Sequence, residues 1–551
     1  MALDSKDRAF RCDAISRIDY KTLAMDRVLT AFLARLWHGG VTSRMRRATD
    51  LDVNAYLELL VDDKTGRFDG FADNEDVTRR WVATHLLDLV NRGRVSEAVA
   101  GPRPLHGFAY RLRNTFRSRP YGADEQLYEL LAVNDIALKA LREFFFSDID
   151  PTTGEAVPGP DIDVESQALL SMVEATQGKA QDRAENSSRR EQKQLCRQPA
   201  ELLGEDVLRL LLHRNFMPRT VLVEHLKILL SFHLALYHLR MFKLVPAAVR
   251  DGAVDNACVG GYKHDEQCRF RPQLFVDVAG SEGELPAEYA VKSAATWYGR
   301  LPQFVRGTFA VLKLTDFAKD LHRQGKYAMP GKGDLAAADA IALLDKKYEA
   351  DREVFFDMRV RRILDEEEEP LAPELQTIID LGLSRFDTYL ELIMHYRGAF
   401  QRKYLVDCLD SMFLKGRPGE LLTQPRGSTG VRRFVLDSRL LEVLLQVCLV
   451  QPDASGQMRT RPMRVDEVLE TLQTRYGLYI DTLPTEDGFH GPDLPDQAAV
   501  RANTAAFVDR LREIGYYRDL SDAYLAQTVT PRFTIGAHLE RSQSWLPPRS
   551  G

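Results

Sequence analysis

The longest run of apolar positions in the chain extends from Val221 to Leu239, where only Glu224 and Lys227 carry formal charge. An apolar run of this length, made of helix-forming residues, predicts a helix that is buried on most of its sides. Two charges and three histidines would be costly at the centre of a bilayer, so we interpret the run as a protein core and not as a membrane span. Pro218 predicts the start of this helix, and Pro246 predicts its end.

The N-terminal part of the chain shows helical spacing of apolar residues in three places. The pattern predicts helices over Met25–His38, Val53–Val61 and Asp76–Asn91. A strand, a Gly/Pro turn and a second strand ending in alternating Tyr110 and Leu112 are predicted to follow. Three helices followed by a β-hairpin form the winged helix-turn-helix plan, in which the third helix can enter a major groove.

A second set of three helices is predicted near the C-terminus. The helices cover Ser438–Val450, Met463–Tyr476 and Gln497–Ile514, and Gly477 is predicted to end the middle one. The segment that begins at Tyr516 alternates as a hairpin would. This is a second winged-helix plan, and because the charges on its third helix nearly balance, we favour the docking of a protein over the reading of bases.

Between the two modules the pattern is helical with one exception. Pro272–Val278 predicts a strand, a helical region over Ala294–His322 is broken at Pro302, and Asp334–Leu364 predicts one long charged helix. The predicted fold is therefore mainly α and multi-domain, with winged helix-turn-helix-like modules near both ends and little β outside the wings. The predicted division is an N-terminal winged-helix domain (1–146), a polar linker (147–200), a central buried helical domain (201–414), a C-terminal winged-helix-like domain (415–535) and a disordered tail (536–551).

Composition narrows the classes of protein that remain. The chain has 551 residues, which predicts about three domains, and a net charge of −6, which excludes a uniformly basic nucleic-acid binder. Its six cysteines are widely scattered, as in proteins of a reducing compartment, and the first twenty residues hold no apolar stretch of a secretory signal. We therefore expect a cytoplasmic protein with no membrane segment.

Local charge gives the best functional signal in the chain. The segment from Val77 to Pro120 has nine arginines against Asp88 and Glu97, so its net charge is 9 − 2 = +7. Arginine forms bidentate contacts with phosphate, which predicts binding to the backbone of double-stranded DNA. The alternative is a solvated basic face that pairs with the acidic remainder of the protein, and winged helices also dock proteins. The candidate residues are Arg79, Arg80, Arg92, Arg94, Arg103, Arg111, Arg113, Arg117 and Arg119.

A second basic segment runs from Leu414 to Arg439 and contains only two acids, Glu420 and Asp437. A Gly/Ser loop between arginines is suited to hold a phosphate, although a mobile basic linker fits the same composition. The candidate residues of this second basic loop are Lys415, Arg417, Arg426, Arg432 and Arg433.

Two patterns in the central part of the chain have some features of metal sites. Cys258, His264 and Cys268 have a Cys-x5-His-x3-Cys spacing, with Cys196 as a distant fourth ligand, but there is no CxxC pair. An ordinary loop is the simpler account, so we predict no metal ion and no cofactor. Asp277 lacks the Glu-x-Lys of a restriction-type nuclease on a following strand.

Catalysis has one weak candidate. Arg219 and His225 match the Arg-x5-His spacing of helical RNases of the HEPN type, a spacing that chance meets easily in an arginine-rich chain. The three histidines of the core helix fit buried, hydrogen-bonded residues better than catalysts. We predict no catalytic residue.

Several strings together resemble a known class of protein. They are FLKGRPGELL, RRFVLDSRLLEVLLQ, the Tyr-Gly end of the helix before the last wing, CRFRPQLFVDV and SFHLALYHLRMFKLVP. Over the C-terminal two thirds the chain resembles the large accessory proteins, without a known catalytic motif, of bacterial anti-phage defence islands, and above all those of the methylation-associated defence system. The resemblance implies a cytoplasmic subunit that works beside helicases, methyltransferases, kinases or nucleases, and it implies no particular site residues.

Our hypothesis from the sequence is a non-catalytic DNA-binding and scaffolding component of a bacterial defence complex, with other defence-system proteins as partners. Two alternatives stay open. A winged helix at each end is similar to the kleisin subunits of SMC complexes, although the buried middle is larger than a kleisin linker needs. The other alternative is a helical RNase that uses Arg219 and His225.

Overall fold

The fold was analysed in a computed structural model. It describes residues 3–45, 52–62, 66–150, 153–157, 159, 162–176, 182–185, 188–260, 268–280, 284–330, 335–367, 371–425, 430–489, 494–517 and 528–536. Within these ranges the chain is mainly α-helical, and its strands form only two-stranded sheets. The predicted fold class, mainly α and multi-domain with little β, is confirmed.

In the N-terminal part, α2 and α3 match the first two predicted helices, and the elements after them depart from the prediction. The elements are α1 (Ser5–Arg8), α2 (Met25–Trp37), α3 (Val53–Val61), α4 (Glu75–Trp81), a π-turn (Val82–Leu86), β1 (Leu87–Val90), β2 (Ala98–Pro102), a 3-10 helix (Gly107–Leu112), α5 (Ala123–Leu131) and α6 (Asp135–Phe145).

The predicted helix over Asp76–Asn91 is wrong in its second half. Its apolar end, Leu87–Val90, pairs antiparallel with Ala98–Pro102, and a bulge lies between Asp88 and Leu89. A short apolar run fits a helix or a strand equally well, and here pairing with the neighbouring strand decides. The predicted second strand at Tyr110 and Leu112 is also wrong, because these residues lie in a buried 3-10 helix. The winged-helix plan stays a prediction, and the hairpin that exists is one strand earlier than expected.

The centre of the molecule is a pair of packed helices. After α7 (Val164–Ala175) come α8 (Gln198–Leu211) and α9 (Arg219–Asp251), followed by the short α10 (Asn256–Gly260). By length and hydropathy α9 could cross a membrane, but 94% of its apolar window is buried inside the protein, as predicted for a core helix.

Pro218 precedes α9 as predicted, but Pro246 does not end it. The helix continues to Asp251 and ends at Gly252, which has a left-handed φ of 68°. Gly307 packs against Val245 and Pro246, where a Cβ atom on residue 307 would lie 3.0 Å from a Val245 methyl group. We infer that tight packing of the neighbouring helix compensates the hydrogen bond lost at the proline.

The next segment wraps helices around α9. Its elements are β3 (Leu274–Phe275), α11 (Leu285–Gly299), α12 (Leu301–Arg323), α13 (Ala337–Ile341), two 3-10 turns (Ala342–Leu344 and Lys346–Tyr348), α14 (Glu349–Asp365), α15 (Pro373–Asp380) and α16 (Arg385–Met412). The predicted break at Pro302 is confirmed, since α11 ends at Gly299. The single helix predicted over Asp334–Leu364 is wrong, because the 3-10 turns around Asp345 interrupt it; the Asp345 carboxylate caps the second turn through the Lys347 N–H at 2.9 Å.

The C-terminal part is built from short strands and three helices that match the predicted ones. Its elements are β4 (Leu422–Thr423), β5 (Arg433–Phe434), α17 (Ser438–Cys448), β6 (Val450–Pro452), β7 (Met458–Thr460), β8 (Met463–Arg464), α18 (Val465–Tyr476), β9 (Leu478–Tyr479), α19 (Leu494–Glu513) and β10 (Thr528–Val529). Gly477 ends α18 with a φ of 75°, as predicted. In the predicted terminal hairpin, Tyr517 pairs with Val529 and β10 pairs with β8, while residues 518–527 and the predicted tail beyond Gly536 lie outside the described residues.

Buried apolar side chains form one large cluster that extends from Leu3 to Val529 and crosses the predicted domain boundaries. The described part of the predicted linker takes part in it, because α7 buries Leu169, Leu170 and Met172. The division into domains stays a prediction.

A buried carboxylate connects three of the central elements. Asp206 of α8 accepts hydrogen bonds from His233 Nε2 of α9 at 2.9 Å and from Tyr476 OH of α18 at 2.8 Å. Its other oxygen accepts the Arg475 Nε–H at 3.0 Å. Burial raises the pKa of Asp206, but Arg475 and His233 outweigh burial and hold the pKa well below its usual range. The carboxylate is therefore an anion at neutral pH, and its partners compensate the cost of burying it.

We expect Asp206→Ala to lower the free energy of unfolding by roughly 3–5 kcal/mol, because it leaves Arg475 as a buried cation without its main partner. Urea unfolding followed by circular dichroism measures the change. Asp380→Ala, at an exposed helix end, is the matched control and should stay within about 0.5 kcal/mol of wild type. A loss of under about 1 kcal/mol for Asp206→Ala would contradict the role assigned to this carboxylate.

The prediction that the three histidines of the core helix are buried and hydrogen-bonded is confirmed. His238 illustrates the consequence for its charge. Its Nδ1 lies 2.7 Å from the Leu234 carbonyl, to which it must donate, so Nε2 of the neutral ring accepts the Ser16 hydroxyl at 3.1 Å. Burial lowers the pKa of His238 to about 4.

Stability should therefore fall on acidification. The unfolded chain protonates His238 near its ordinary pKa of about 6.5, whereas the folded ring resists protonation down to about 4. The free energy of unfolding decreases through this window, and His238→Gln should reduce that slope by roughly 1 kcal/mol per pH unit. Urea midpoints measured between about pH 6 and pH 5 test this. His395→Gln, at an exposed position, should keep the wild-type slope; equal slopes in all three proteins would exclude the mechanism.

Candidate nucleic-acid interface

The nine predicted phosphate-binding arginines separate into exposed and buried groups. Arg80, Arg92, Arg94 and Arg119 are exposed, Arg79, Arg103 and Arg117 are half-buried, and Arg111 and Arg113 are buried. A guanidinium inside the protein cannot reach a DNA backbone. The prediction of phosphate contacts is therefore withdrawn for Arg111 and Arg113.

Arg111 is a structural residue. Its Nε donates to Asp182 at 2.8 Å, and its guanidinium lies 3.4 Å from the centre of the Phe108 ring. Burial raises the pKa of Asp182, but hydrogen bonds from His38 and Tyr110 outweigh it and bring the pKa to about 2. Asp182 lies in the predicted polar linker, 71 residues from Arg111. No local pattern in the sequence indicates this pair.

Arg79 is half-buried and Arg80 is exposed, and both are balanced by acids of the preceding turn. Arg79 Nη2 donates to Glu75 at 2.8 Å, and Arg80 lies 3.6 Å from Asp76. Both acids precede Val77, so the net charge of +7 counted from Val77 to Pro120 does not include them. The local field is therefore weaker than the count from the sequence indicated.

The tip of the β1–β2 hairpin carries the least compensated arginines of this segment. Residues 91–97 are all exposed, and Val95 is fully open to solvent. Arg92 Nη2 donates to the Ala83 carbonyl of the π-turn at 2.7 Å, which holds the tip beside that turn. Within the described residues, neither Arg92 nor Arg94 has a carboxylate within 4.0 Å.

Most of the second basic loop is engaged inside the protein. Lys415 and Arg432 both pair with Asp410, and Arg432 Nη2 does so at 2.8 Å. Arg433 is buried and lies 3.5 Å from Asp277. For Lys415, Arg432 and Arg433 the expected phosphate contacts are therefore withdrawn, because these side chains already neutralise buried carboxylates.

Arg417 is exposed, and Arg426 lies outside the described residues. Asp277, the residue in the position of a nuclease carboxylate, is buried and is the partner of Arg433.

One cleft brings parts of both basic segments together. It has a volume of about 420 Å³ and lies between α2, the start of α9 and the loop that follows α16. Its basic side chains come from separate parts of the sequence: His85 and Arg103 from the first segment, and Arg417 and Arg439 from the second.

The acids of this cleft are already neutralised. Lys227 Nζ contacts Asp26 at 2.7 Å and Glu224 at 2.6 Å, and Arg103 lies 3.9 Å from Glu224. The backbone N–H of Arg439 donates to Asp437 at 3.0 Å, but in the described part of the chain the guanidinium groups of Arg417 and Arg439 have no carboxylate within 4.0 Å, so both remain available to an anion.

The cleft and the hairpin tip adjoin through the π-turn. His85, at the end of this turn, lines the cleft, and its Nδ1 lies 2.8 Å from Thr84 Oγ1. Two residues earlier, the Ala83 carbonyl accepts the hydrogen bond from Arg92 at the hairpin tip. We call the set Arg92, Arg94, His85, Arg103, Arg417 and Arg439 the basic track. Such a surface can attract a phosphate backbone, but it shows no pair of a nucleophile and a base.

The RNase candidates have structural partners. Arg219 donates to the carbonyls of Leu105 and Phe144, both at 2.7 Å. His225 Nδ1 lies 2.9 Å from Gln446 Oε1 in the core, where burial lowers its pKa. The two side chains contact different neighbours, so the geometry gives no support to joint catalysis.

The sequence was also compared with known proteins. Residues 5–533 match the family of methylation-associated defense system protein MAD7. The chain belongs to this family. The resemblance proposed from the C-terminal strings is confirmed, and it covers nearly the whole chain. A comparison with curated proteins found no match. A MAD7-family protein acts in defence against phage, which implies other proteins of the defence system as partners.

The division of the arginines can be tested with single substitutions in this MAD7-family protein. Arg111→Ala should lower the free energy of unfolding by roughly 3–5 kcal/mol, because it leaves Asp182 buried without its cation. Arg94→Ala, in the same basic segment but exposed, should change it by less than about 0.5 kcal/mol. Thermal and urea unfolding measure both values. Equal stability of the two variants would mean that the Arg111–Asp182 pair contributes nothing.

Proposed function

We propose that this MAD7-family protein is a non-catalytic, cytoplasmic DNA-binding and scaffolding component of its anti-phage defence complex. The basic track would contact the phosphate backbone of double-stranded DNA. The observation that carries the proposal is the meeting of Arg103, Arg417 and Arg439 on one cleft that adjoins the hairpin tip.

The charge balance supports this assignment. The protein as a whole is acidic, with a net charge of −6, so an uncompensated basic surface is a local exception. Arginines that stabilise the fold are paired with buried carboxylates, whereas those of the basic track largely lack such partners. Arginine left unpaired at a surface is a good ligand for phosphate, through two parallel N–H···O bonds.

The track suits backbone contact better than base reading. The exposed tip, residues 91–97, carries Arg92 and Arg94 together with the acid Glu97, in a short turn and not on a helix. Contacts to phosphate fix position without reading sequence. We therefore expect binding with little sequence preference, and we assign the choice of target to partner proteins of the defence system.

The scaffolding part of the proposal concerns the C-terminal module. The exposed charges of α19 balance within the helix, where Arg510 pairs with Glu513 at 3.3 Å and Arg512 pairs with Asp509. A balanced surface of this kind favours the docking of a protein over binding to DNA. The kleisin alternative gains no specific support from the fold.

The test is binding to a labelled duplex of mixed sequence, measured by fluorescence anisotropy across a salt series. The variant carries Arg92→Ala, Arg94→Ala, Arg417→Ala and Arg439→Ala. Each phosphate contact contributes about −0.9 to the slope of log K against log salt, so losing four should reduce the slope by roughly three to four. Affinity at low salt should fall by at least about tenfold.

The matched control removes four other exposed arginines, with Arg250→Ala, Arg323→Ala, Arg361→Ala and Arg464→Ala. It changes the net charge equally and should keep a slope close to that of wild type. Equal loss in both variants would mean that binding depends on net charge alone. No binding by wild type at low salt would reject the DNA assignment and leave the scaffold role.

A further inference from the structure

Three cysteines that are far apart in the sequence meet in the core. Cys196 precedes α8, Cys258 lies in α10, and Cys268 precedes β3. Their sulfur atoms all lie within 4.8 Å of one another, and Cys196 Sγ is 4.0 Å from Cys268 Sγ. Two thiolates on one tetrahedral Zn²⁺ ion, each about 2.3 Å from the metal, are separated by roughly 3.8 Å. The observed arrangement is close to that of a thiolate-bound zinc ion.

The backbone holds these cysteines in place. The Arg197 N–H donates to the Cys258 carbonyl at 3.0 Å, so the two chain segments that carry Cys196 and Cys258 are directly joined. The Arg271 N–H donates to the Cys268 carbonyl at 2.9 Å and closes a turn at the third cysteine. All three side chains are almost completely buried, which excludes bulk water from the site.

A buried arginine supplies a second, independent observation. Arg240 of α9 is 5% exposed, and its Nη1 lies 3.5 Å from Cys196 Sγ and 2.8 Å from Gln198 Oε1. No carboxylate of the described residues lies within 4.0 Å of this guanidinium, and its Nε has no hydrogen-bond partner there. A buried cation without an anion is costly. Among the described residues, the thiols of the cysteine cluster are the groups beside this guanidinium that can become negative.

Neutral thiols do not supply that charge, but a zinc thiolate centre does. One Zn²⁺ ion with three thiolates carries a net charge of 2 − 3 = −1, which balances the guanidinium of Arg240. An N–H donated to a ligand sulfur also stabilises the thiolate form. The same geometry does not fit a disulfide, because at 4.0 Å Cys196 and Cys268 are separate thiols.

We propose that Cys196, Cys258 and Cys268 bind a structural Zn²⁺ ion, with Arg240 as the charge-compensating residue beside it. The ion would fix the start of α8 and the approach to β3 against α9. Binding expels one proton from each thiol as the Zn–S bonds form, so affinity rises with pH. The described residues supply three of the four ligands of a tetrahedral zinc site. The sequence favours an ordinary loop here because it contains no CxxC pair, and it is the fold that brings Cys196 to Cys258 and Cys268.

Metal content is the first measurement. The full-length protein is purified through a tag that binds no metal, and without chelators. Inductively coupled plasma mass spectrometry should then find about one zinc ion per chain. Cys196→Ser and Cys268→Ser should each reduce zinc to under about 0.2 per chain. Cys408→Ser and Cys448→Ser, which replace buried cysteines elsewhere, are the matched controls and should retain it.

A second measurement does not depend on the folding of a cysteine variant. Wild-type protein stripped of metal under reducing conditions and refilled with Co²⁺ should show the thiolate-to-cobalt charge-transfer band and the strong visible bands of a tetrahedral centre. Returning Zn²⁺ should bleach these bands and raise the melting temperature above that of the metal-free protein.

The opposite outcomes would overturn the proposal. They are substoichiometric zinc without cobalt bands, or zinc that persists in both Cys196→Ser and Cys268→Ser. A count of six reactive thiols in denatured, metal-free wild type is expected, whereas a count of four would show a disulfide in place of the metal site.

Discussion

The arrangement of the molecule depends on the buried carboxylate of Asp206. Apolar contacts hold α8 and α9 together but do not select one orientation of the C-terminal module against them. A buried anion does, because it is tolerated only where His233, Arg475 and Tyr476 all reach it. These partners lie on two different helices, so a shift of α18 by one turn would break several hydrogen bonds at once. The C-terminal module is therefore fixed relative to the central helix.

The same principle positions the candidate interface. Arg219, at the start of α9, donates to the Leu105 and Phe144 carbonyls of the N-terminal part, and Lys227 contacts Asp26 of α2. One face of α9 thereby holds the wall of the cleft that carries Arg103. On the other side, the pairing of Arg432 with Asp410 holds the loop that carries Arg417. These contacts thus hold the two segments that carry Arg103 and Arg417 on either side of the cleft.

Local pattern predicted most helices and some of their ends, but not what the helices contact. The spacing at Met25 and Val53 and the glycine at 477 were sufficient, since each signal acts within one helix. Leu87–Val90 was assigned to a helix because four apolar-rich residues have no decisive period, and its strand partner, Ala98–Pro102, decides the structure. Pro246 predicts a helix end, yet α9 continues through it where Gly307 of the neighbouring helix packs closely against Val245 and Pro246. Tertiary contacts overrode the local preference in both places.

For the candidate site, the sequence showed the local excess of arginine but not which arginines are buried. Counting arginines drew attention to the 77–120 segment, but it could not separate Arg111, whose partner Asp182 lies in another segment, from Arg94, whose guanidinium has no carboxylate partner among the described residues. The energetic difference is large: a buried guanidinium must be neutralised by a fixed anion, while an exposed one is stabilised by water and stays available. Burial therefore divides arginines of one segment into those that build the fold and those that can bind. In a MAD7-family chain with a net charge of −6, the position of Arg92, Arg94, Arg417 and Arg439 on one track is what supports the proposed phosphate contacts.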